Sequence, residues 1–322
     1  MNSRRTGEPS ADTPGFFRRW LVASRPFSFP ASVTPVILGT VLAVTAGGAP
    51  FHPIRFLLAV FAIVSIHASA NILNDIGDFR RGLDRTIVPG SGAVVRGLMT
   101  SREALAGALI LLAAGSVTGL ILVWLSGPAL LWIGVAGVAI GVFYTAPPFG
   151  LKYRALGDVA VFSIFGILGT LGAWTVQTGR PSWIPAWWAV PIAMLVAAIL
   201  HANNWRDIVS DREGRISTIA SLLGDRGSLA YYGVLVFGAF GMVLLFIALT
   251  RWPRLGPPMP LTAAIVLLAF PQAMTLWRKA RRRHAPAHPT DFVALDGATA
   301  QLNMIFGILY AAGLAVAPLL AR

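Results

Sequence analysis

The sequence predicts an all-α integral membrane protein of about nine transmembrane helices with a cytoplasmic N-terminus, and three observations carry that prediction. The 322 residues are 56% hydrophobic and only 12% charged, with a mean hydropathy of +0.70. Soluble domains are roughly 45–50% apolar and about 25% charged, so the solvent that suits this chain is lipid. The apolar residues gather into nine runs, most of them near the roughly 20 residues that a spanning helix needs. The basic residues fall between those runs with a strong sidedness.

In chain order, Met1–Gly15 is polar, carries Arg4 and Arg5, and lacks the apolar stretch of a signal peptide. Residues 1–24 are therefore expected to be a disordered cytoplasmic tail, and residues 25–322 a single transmembrane domain. The nine runs lie near Phe29–Ala46, Phe56–Asn74, Ala104–Leu125, Ala129–Tyr144, Val159–Thr178, Trp187–Asn204, Leu229–Leu249, Leu261–Trp277 and Ala300–Leu320. Several are rich in Gly and Ala, which lets helix backbones approach closely in lipid. Trp183, Trp187, Trp188, Trp252 and Trp277 fall near run ends, where aromatic anchors meet the headgroup layer.

With the N-terminus inside, all but five of the 26 Lys and Arg residues fall in the tail or in inside loops; Arg55, Arg180, Arg251, Arg254 and Arg322 are the five outside. That asymmetry fixes the orientation. The net charge of +13 thus follows from topology and does not point to a nucleic-acid partner, which needs a basic face on a soluble fold. With no cysteine, disulfides, thiolate catalysis and zinc–thiolate sites are excluded.

The 13 acidic residues are concentrated. Asp75, Asp78 and Asp84 follow the second run; Asp207, Asp211 and Glu213 follow the sixth. Asn71, Asn74 and Asp78 are spaced i, i+3, i+7, and so are Asn204, Asp207 and Asp211, so each trio lies along one helix face. Each member of the second trio stands 133 positions after its counterpart (204 − 71, 207 − 74, 211 − 78). Four helices separate them, so both faces end on the same side of the bilayer, as in a parallel internal repeat with its site between the halves.

Carboxylate and amide oxygens are hard ligands suited to Mg²⁺, which takes one or two carboxylates plus phosphate oxygens and water. Two facing sets would hold metal on either side of a diphosphate and neutralise charge as it leaves. Arg81, Arg206 and Arg212, interleaved with the acids, would add forked phosphate contacts. A single Asp and Arg cluster at a helix end is more often a solvated, ion-paired cap. Two clusters of matching spacing, each preceded by Asn inside an apolar helix, are harder to explain that way, because polar groups at membrane depth are costly. Between the fourth and fifth runs, Pro147 and Pro148 stop the helix, and Lys152 and Arg154 then face the side of the acids, either as phosphate-binding cations or as ordinary juxtamembrane charge. His201 reads equally as packing or catalytic. The Arg278–Arg283 run reads as a topology signal that also meets anionic lipid. A secondary transporter using the acids as a cation site is the rival reading, set against both clusters lying at one membrane face rather than the midplane.

At these residues the sequence resembles the UbiA-type intramembrane aromatic prenyltransferases, over nearly the whole chain from Arg25-Pro26 to the last helix. The family's first motif, Asn-x₃-Asp with a later Asp, maps onto Asn74 and Asp78, with Asp84 as the later acid. The longer spacing to Asp84 resembles the 1,4-dihydroxy-2-naphthoate branch, which makes menaquinone, and its animal relatives. Asn203-Asn204-x-Arg206-Asp207-x₃-Asp211-Arg212 and Leu151-Lys152-Tyr153-Arg154-x-Leu156-Gly157 are similar to that branch too, whereas Arg215-Ile-Ser-Thr218 departs from its Gly-Lys-Arg-Thr-like run. The resemblance implies nine helices around a central cavity, with Asn74, Asp78, Asp84, Asp207 and Asp211 binding Mg²⁺ and the diphosphate of a polyprenyl donor. Lys152, Arg154 and Tyr144 would steady the diphosphate, supported by Arg81, Arg206, Asn71 and Asn204. An aromatic acceptor would then attack the allylic cation, with membrane lipid around the site.

Overall fold

The computed structural model describes residues 15–81, 92–145, 149–214, 216–250, 259–288 and 291–320. Asp84 and Arg215 lie outside these segments, as does the side chain of Arg81. Described residues form helices α1 (Phe16–Ser24), α2 (Pro30–Thr45), α3 (Pro53–Arg81), α4 (Ser101–Ser126), α5 (Ala129–Thr145), α6 (Gly157–Val161), α7 (Gly169–Thr178), α8 (Ile184–Arg206), α9 (Ile208–Glu213), α10 (Ile219–Leu249), α11 (Phe270–Arg281) and α12 (Leu295–Leu320). A π-helical turn, Phe162–Leu168, joins α6 to α7 in one rod, and a 3₁₀ stretch, Leu261–Ala269, leads into α11. Among the described residues there is no strand; one isolated parallel bridge links Arg154 and Ser217.

Each of the nine apolar runs is helical. Among the described residues seven helices are long and apolar enough to cross a bilayer, and an eighth follows if the bent pair Phe16–Ser28 and Pro30–Thr45 is one span. The bend of 53° sits at the break between Ser28 and Pro30; earlier, at the end of α1, Arg25 is held in the left-handed region at φ 52, just before Pro26. α5 is short of the crossing length. The tail expected to be disordered differs in its last nine residues, which form α1. Trp20 and Ala23 on that helix pack with Ile72, Ile76 and Ala104 of α3 and α4, which gives it a reason to fold. Phe16, Phe17 and Leu21 remain exposed on the other side.

α8 is the central helix, the most buried of the spans. It packs against α10, α12 and the π turn, while α3 pairs with α4 and α2 with α7. A helix apolar all round belongs at such a centre. The core around it is built of large side chains: its own Trp205, Tyr232 of α10, and Phe306 and Tyr310 of α12 are almost fully buried. Close approach elsewhere depends on small residues. A Cβ on Gly39 of α2 would run into the Thr170 carbonyl, and one on Gly115 of α4 would lie 2.9 Å from the Ala62 carbonyl of α3. The helices are thus locked at backbone distance, and their ends are held in fixed register at the site.

Candidate active site

The first acid-rich face lies on the last turns of α3. Asn71 donates from Nδ2 to the Ser24 carbonyl (2.9 Å) and the Ser28 hydroxyl (3.1 Å), tying α3 to the α1–α2 elbow. One turn deeper, buried His67 meets the Ser32 hydroxyl at 2.6 Å, and its ring lies 4.8 Å from that of Phe165 on the π turn. Among the described residues the Asn74 amide has no hydrogen-bond partner, so its oxygen is open to a ligand. Asp75 points the other way: it is buried and accepts the Val94 amide at 2.8 Å, pinning the segment before α4. Asp78 is paired with Lys152, whose Nζ lies 2.9 and 3.1 Å from its two oxygens.

Lys152 comes from the turn after α5. Ala155, at φ 56, holds a left-handed conformation that is strained for an L-residue. That strain lets its amide donate to the Ser217 carbonyl, while Ser217 donates to the Tyr153 carbonyl at 3.3 Å. The α5–α6 turn is thereby clamped between the two acidic faces, with Lys152 on Asp78 on one side and its backbone on the 216–218 segment on the other. Arg154 is exposed beside it. The Tyr144 hydroxyl lies close to Gly157, at 3.6 Å from where a Cβ would stand.

The second face is not one unbroken helix as its spacing predicts. α8 stops at Arg206, and α9 starts at Ile208, with Asp207 between them at φ −94, ψ 12. The i to i−4 bond from the Asp211 amide to the Asp207 carbonyl survives at 2.9 Å, so the phase of the trio is nearly kept. The Arg206 guanidinium is committed within the protein rather than free for phosphate. Its Nε and Nη2 donate to the two Asp207 oxygens at 2.9 and 3.0 Å. Nη1 donates to Asp296 at 3.0 Å and to the Val293 carbonyl. Arg206 therefore fixes Asp207 to the start of α12. Asn203 adds a bond to Asp296 (3.2 Å), and Asn204 donates to Asp158 at 3.4 Å. Arg212 turns to the Ser221 carbonyl.

Asp211 accepts from the Thr218 hydroxyl at 3.4 Å. Burial, and after it the charge of Asp207, pushes its carboxyl up to about 7; Lys152 and Thr218 pull against this and Asp78 adds to it. Lys152 bonds Asp78, its own turn is hydrogen-bonded to Ser217, and the neighbouring Thr218 bonds Asp211, so the ends of α3 and α8 converge. Among the described residues no three carboxylates or histidines gather closely enough to form a metal cage. The donors present, carboxylate and amide oxygens, are the hard ligands that Mg²⁺ takes in small number beside substrate phosphate, and the mutual repulsion at Asp211 is what a divalent cation relieves. Asp84 and the Arg81 side chain lie outside the described residues.

Sequence reasoning passed over Asp158 and Asp296. Both are buried acids at the first turns of apolar helices, and an acid in such a place is itself the signal. Asp158 lies 3.3 Å from the ring of His201, with both side chains almost wholly buried.

Fold and site together define a helical membrane protein with facing acid-rich helix ends. The model described as the UbiA prenyltransferase family matches residues 32–295. The chain belongs to the UbiA prenyltransferase family and is, as an enzyme, a polyprenyltransferase. It is 33% identical over 319 residues to UbiA prenyltransferase domain-containing protein 1 of Danio rerio, covering 98% of this chain and 89% of that protein. The Homo sapiens protein of the same name is 32% identical, over 93% of this chain and 84% of its own length. In fold, the chain resembles a UbiA homolog from Archaeoglobus fulgidus bound to GPP and Mg²⁺, with a TM-score of 0.62 at 16% identity over 91% of this chain and 99% of that one. An apo UbiA homolog from Aeropyrum pernix gives a TM-score of 0.60 at 23% identity, over 91% and 97%.

Proposed function

We propose that this protein transfers a polyprenyl group from an allylic diphosphate to an aromatic acceptor, 1,4-dihydroxy-2-naphthoate, in menaquinone formation. The observation that carries the reading is the linkage of Asp78, through Lys152 and its turn, to the 216–218 segment that holds Asp211, one turn beyond Asp207. Asn74, Asp78, Asp207 and Asp211, with Asp84, would hold Mg²⁺, in keeping with the GPP and Mg²⁺ bound to the Archaeoglobus homolog. When bound, the metal would supply positive charge where the leaving diphosphate gains negative charge.

Lys152 and Arg154 bring further cations to the diphosphate oxygens, and Tyr144 stands beside them. The allylic C–O bond breaks with its electron pair going to the diphosphate. The electron-rich ring of the acceptor then forms the new C–C bond and loses a proton or, with the naphthoate, its carboxyl group as carbon dioxide. Burial in lipid suits both the isoprenoid tail and a carbocation that water would quench. The naphthoate rests on the spacing to Asp84 and the Leu151–Gly157 stretch. Nine spans, an inside N-terminus, a parallel repeat and a site opening to the cytoplasmic side of a cell membrane complete the reading, supported by the sidedness of the basic residues.

The experiment is to incubate purified protein with Mg²⁺, a polyprenyl diphosphate and a panel of naphthoic, hydroxybenzoic and homogentisic acids, and to weigh the products. Prenylated naphthol is expected; prenylation of another acid alone would replace the acceptor, and cation-coupled uptake without transfer would replace the reading.

A further inference from the structure

At the end of the bundle away from the acids, a cavity of about 380 Å³ opens between the ends of α2, α3 and α7, and Arg55, Arg180, His52, Trp174 and Gln177 are among its lining residues. Arg55 stands in the first turn of α3 and Asp78 near its last, so the cavity lies roughly 35 Å from the candidate active site along that helix. It is built rather than incidental. The Gln177 amide clamps His52 at both backbone atoms, accepting from its N–H at 2.9 Å and donating to its carbonyl at 3.3 Å. The Trp174 indole donates to the Arg180 carbonyl at 3.0 Å, and Gly179, at φ 69, turns the chain at the mouth.

The charge there is uncompensated. Every described Asp and Glu lies at the opposite ends of these helices or beyond them. Arg55 spends one N–H on the Val176 carbonyl, at 3.3 Å. Among the described residues the Arg180 guanidinium has no hydrogen-bond or ion-pair partner. Two forked cations that line one cavity, with no acidic side chain at that end among the described residues, take their counter-charge from outside the protein. The depth of the cavity says from where. Exposed Trp124, Trp183 and Trp187 ring the same end, and exposed Trp marks the headgroup level of a bilayer. We infer that this cavity is a binding site for the phosphate of an anionic phospholipid headgroup in the leaflet opposite the acid-rich site.

The test uses the full chain purified in an uncharged detergent, with melting temperature followed as short-chain phosphatidylglycerol, phosphatidylcholine or inorganic phosphate is titrated in. Phosphatidylglycerol is expected to raise the melting temperature at lower concentration than phosphatidylcholine. Arg55→Gln with Arg180→Gln weakens its apparent affinity about tenfold, while prenyl transfer at the other end is retained as the check on folding. Arg180→Gln alone, which removes no hydrogen bond or ion pair among the described residues, gives the same direction if the double variant folds poorly. A second basic cavity, lined by Arg278, Arg281 and Arg282 at the acid-rich end, supplies the competing result. If Arg278→Gln with Arg281→Gln abolishes the preference and the Arg55 and Arg180 variants leave it intact, the assignment is overturned. Stabilisation by inorganic phosphate equal to that by phosphatidylglycerol also overturns it, in favour of a soluble anion.

Discussion

Lys152 and Asp78, 74 positions apart in the chain, form a two-point ion pair, with Nζ lying 2.9 and 3.1 Å from the two carboxylate oxygens. A lysine ammonium and a divalent cation compete for the same oxygens, and a diphosphate offers the lysine another anion. Lys152→Met is expected to tighten Mg²⁺ binding measured without donor, and to raise the KM for the polyprenyl diphosphate about tenfold or more, the worth of a charged hydrogen bond. Calorimetric Mg²⁺ titration and steady-state kinetics check the two halves. If Mg²⁺ and donor both bind more weakly, the pair merely holds the turn in place.

Asp211 gives the site a pH dependence whose sign follows from its surroundings. Its folded-state pKa is raised to about 7 by burial and then by Asp207, above the roughly 3.9 of an unfolded chain. Between those values the native state keeps a proton that the unfolded state has lost. Stability of the metal-free protein therefore falls as pH rises through that window. A bound divalent cation displaces the proton, so Mg²⁺ affinity climbs with pH toward 7 and each binding event releases protons. Melting curves in chelator from pH 4.5 to 8 measure the first effect. Asp211→Asn should flatten them; a wild-type curve already flat across that range would remove this account of Asp211.

Arg206 acts as a clamp on the second face. It grips both oxygens of Asp207 and also reaches Asp296. Arg206→Lys keeps the charge but loses the fork, so Asp207 gains rotational freedom. Transfer is expected to fall at least roughly tenfold with a raised Mg²⁺ requirement, because a misplaced ligand costs rate even when binding survives. Asp296→Asn, further from the face, should do the same more weakly. A lysine variant with wild-type Mg²⁺ dependence would show that the clamp serves folding alone.

The helices and the two acidic faces were legible because lipid enforces long apolar runs and makes each intramembrane carboxylate conspicuous. Partnerships were not. That Asn71 binds the Ser24 carbonyl rather than a ligand, or that Arg206 is spent on Asp207 and Asp296, depends on how distant segments stack, and no local spacing encodes it. The break at Asp207 was hidden for a similar reason: an i, i+3, i+7 pattern tolerates a hinge that keeps its phase. α1 was missed because Trp20 finds its partners on α3 and α4, about 50 to 90 residues away.

Asp158 joins two helices: it opens α6 and meets α8 twice, accepting from Asn204 at 3.4 Å and lying 3.3 Å from the His201 ring. No hydrogen bond closes the contact with His201, and Asp158 Oδ2 and both ring nitrogens of that histidine are buried without one. Such a buried acid is costly unless it positions something, and what it touches is the residue that begins the second acidic trio. Asp158→Leu is expected to free the Asn204 amide and leave His201 buried without a polar neighbour, at about 1–3 kcal/mol of stability and a raised KM for the donor. Asp158→Asn keeps an oxygen for Asn204 and should restore the KM while recovering less of the stability. Melting temperatures and donor KM measured on both variants separate the two effects. If the leucine variant matches wild type in KM, Asn204 is held by its helix alone and Asp158 has no part in placing the site.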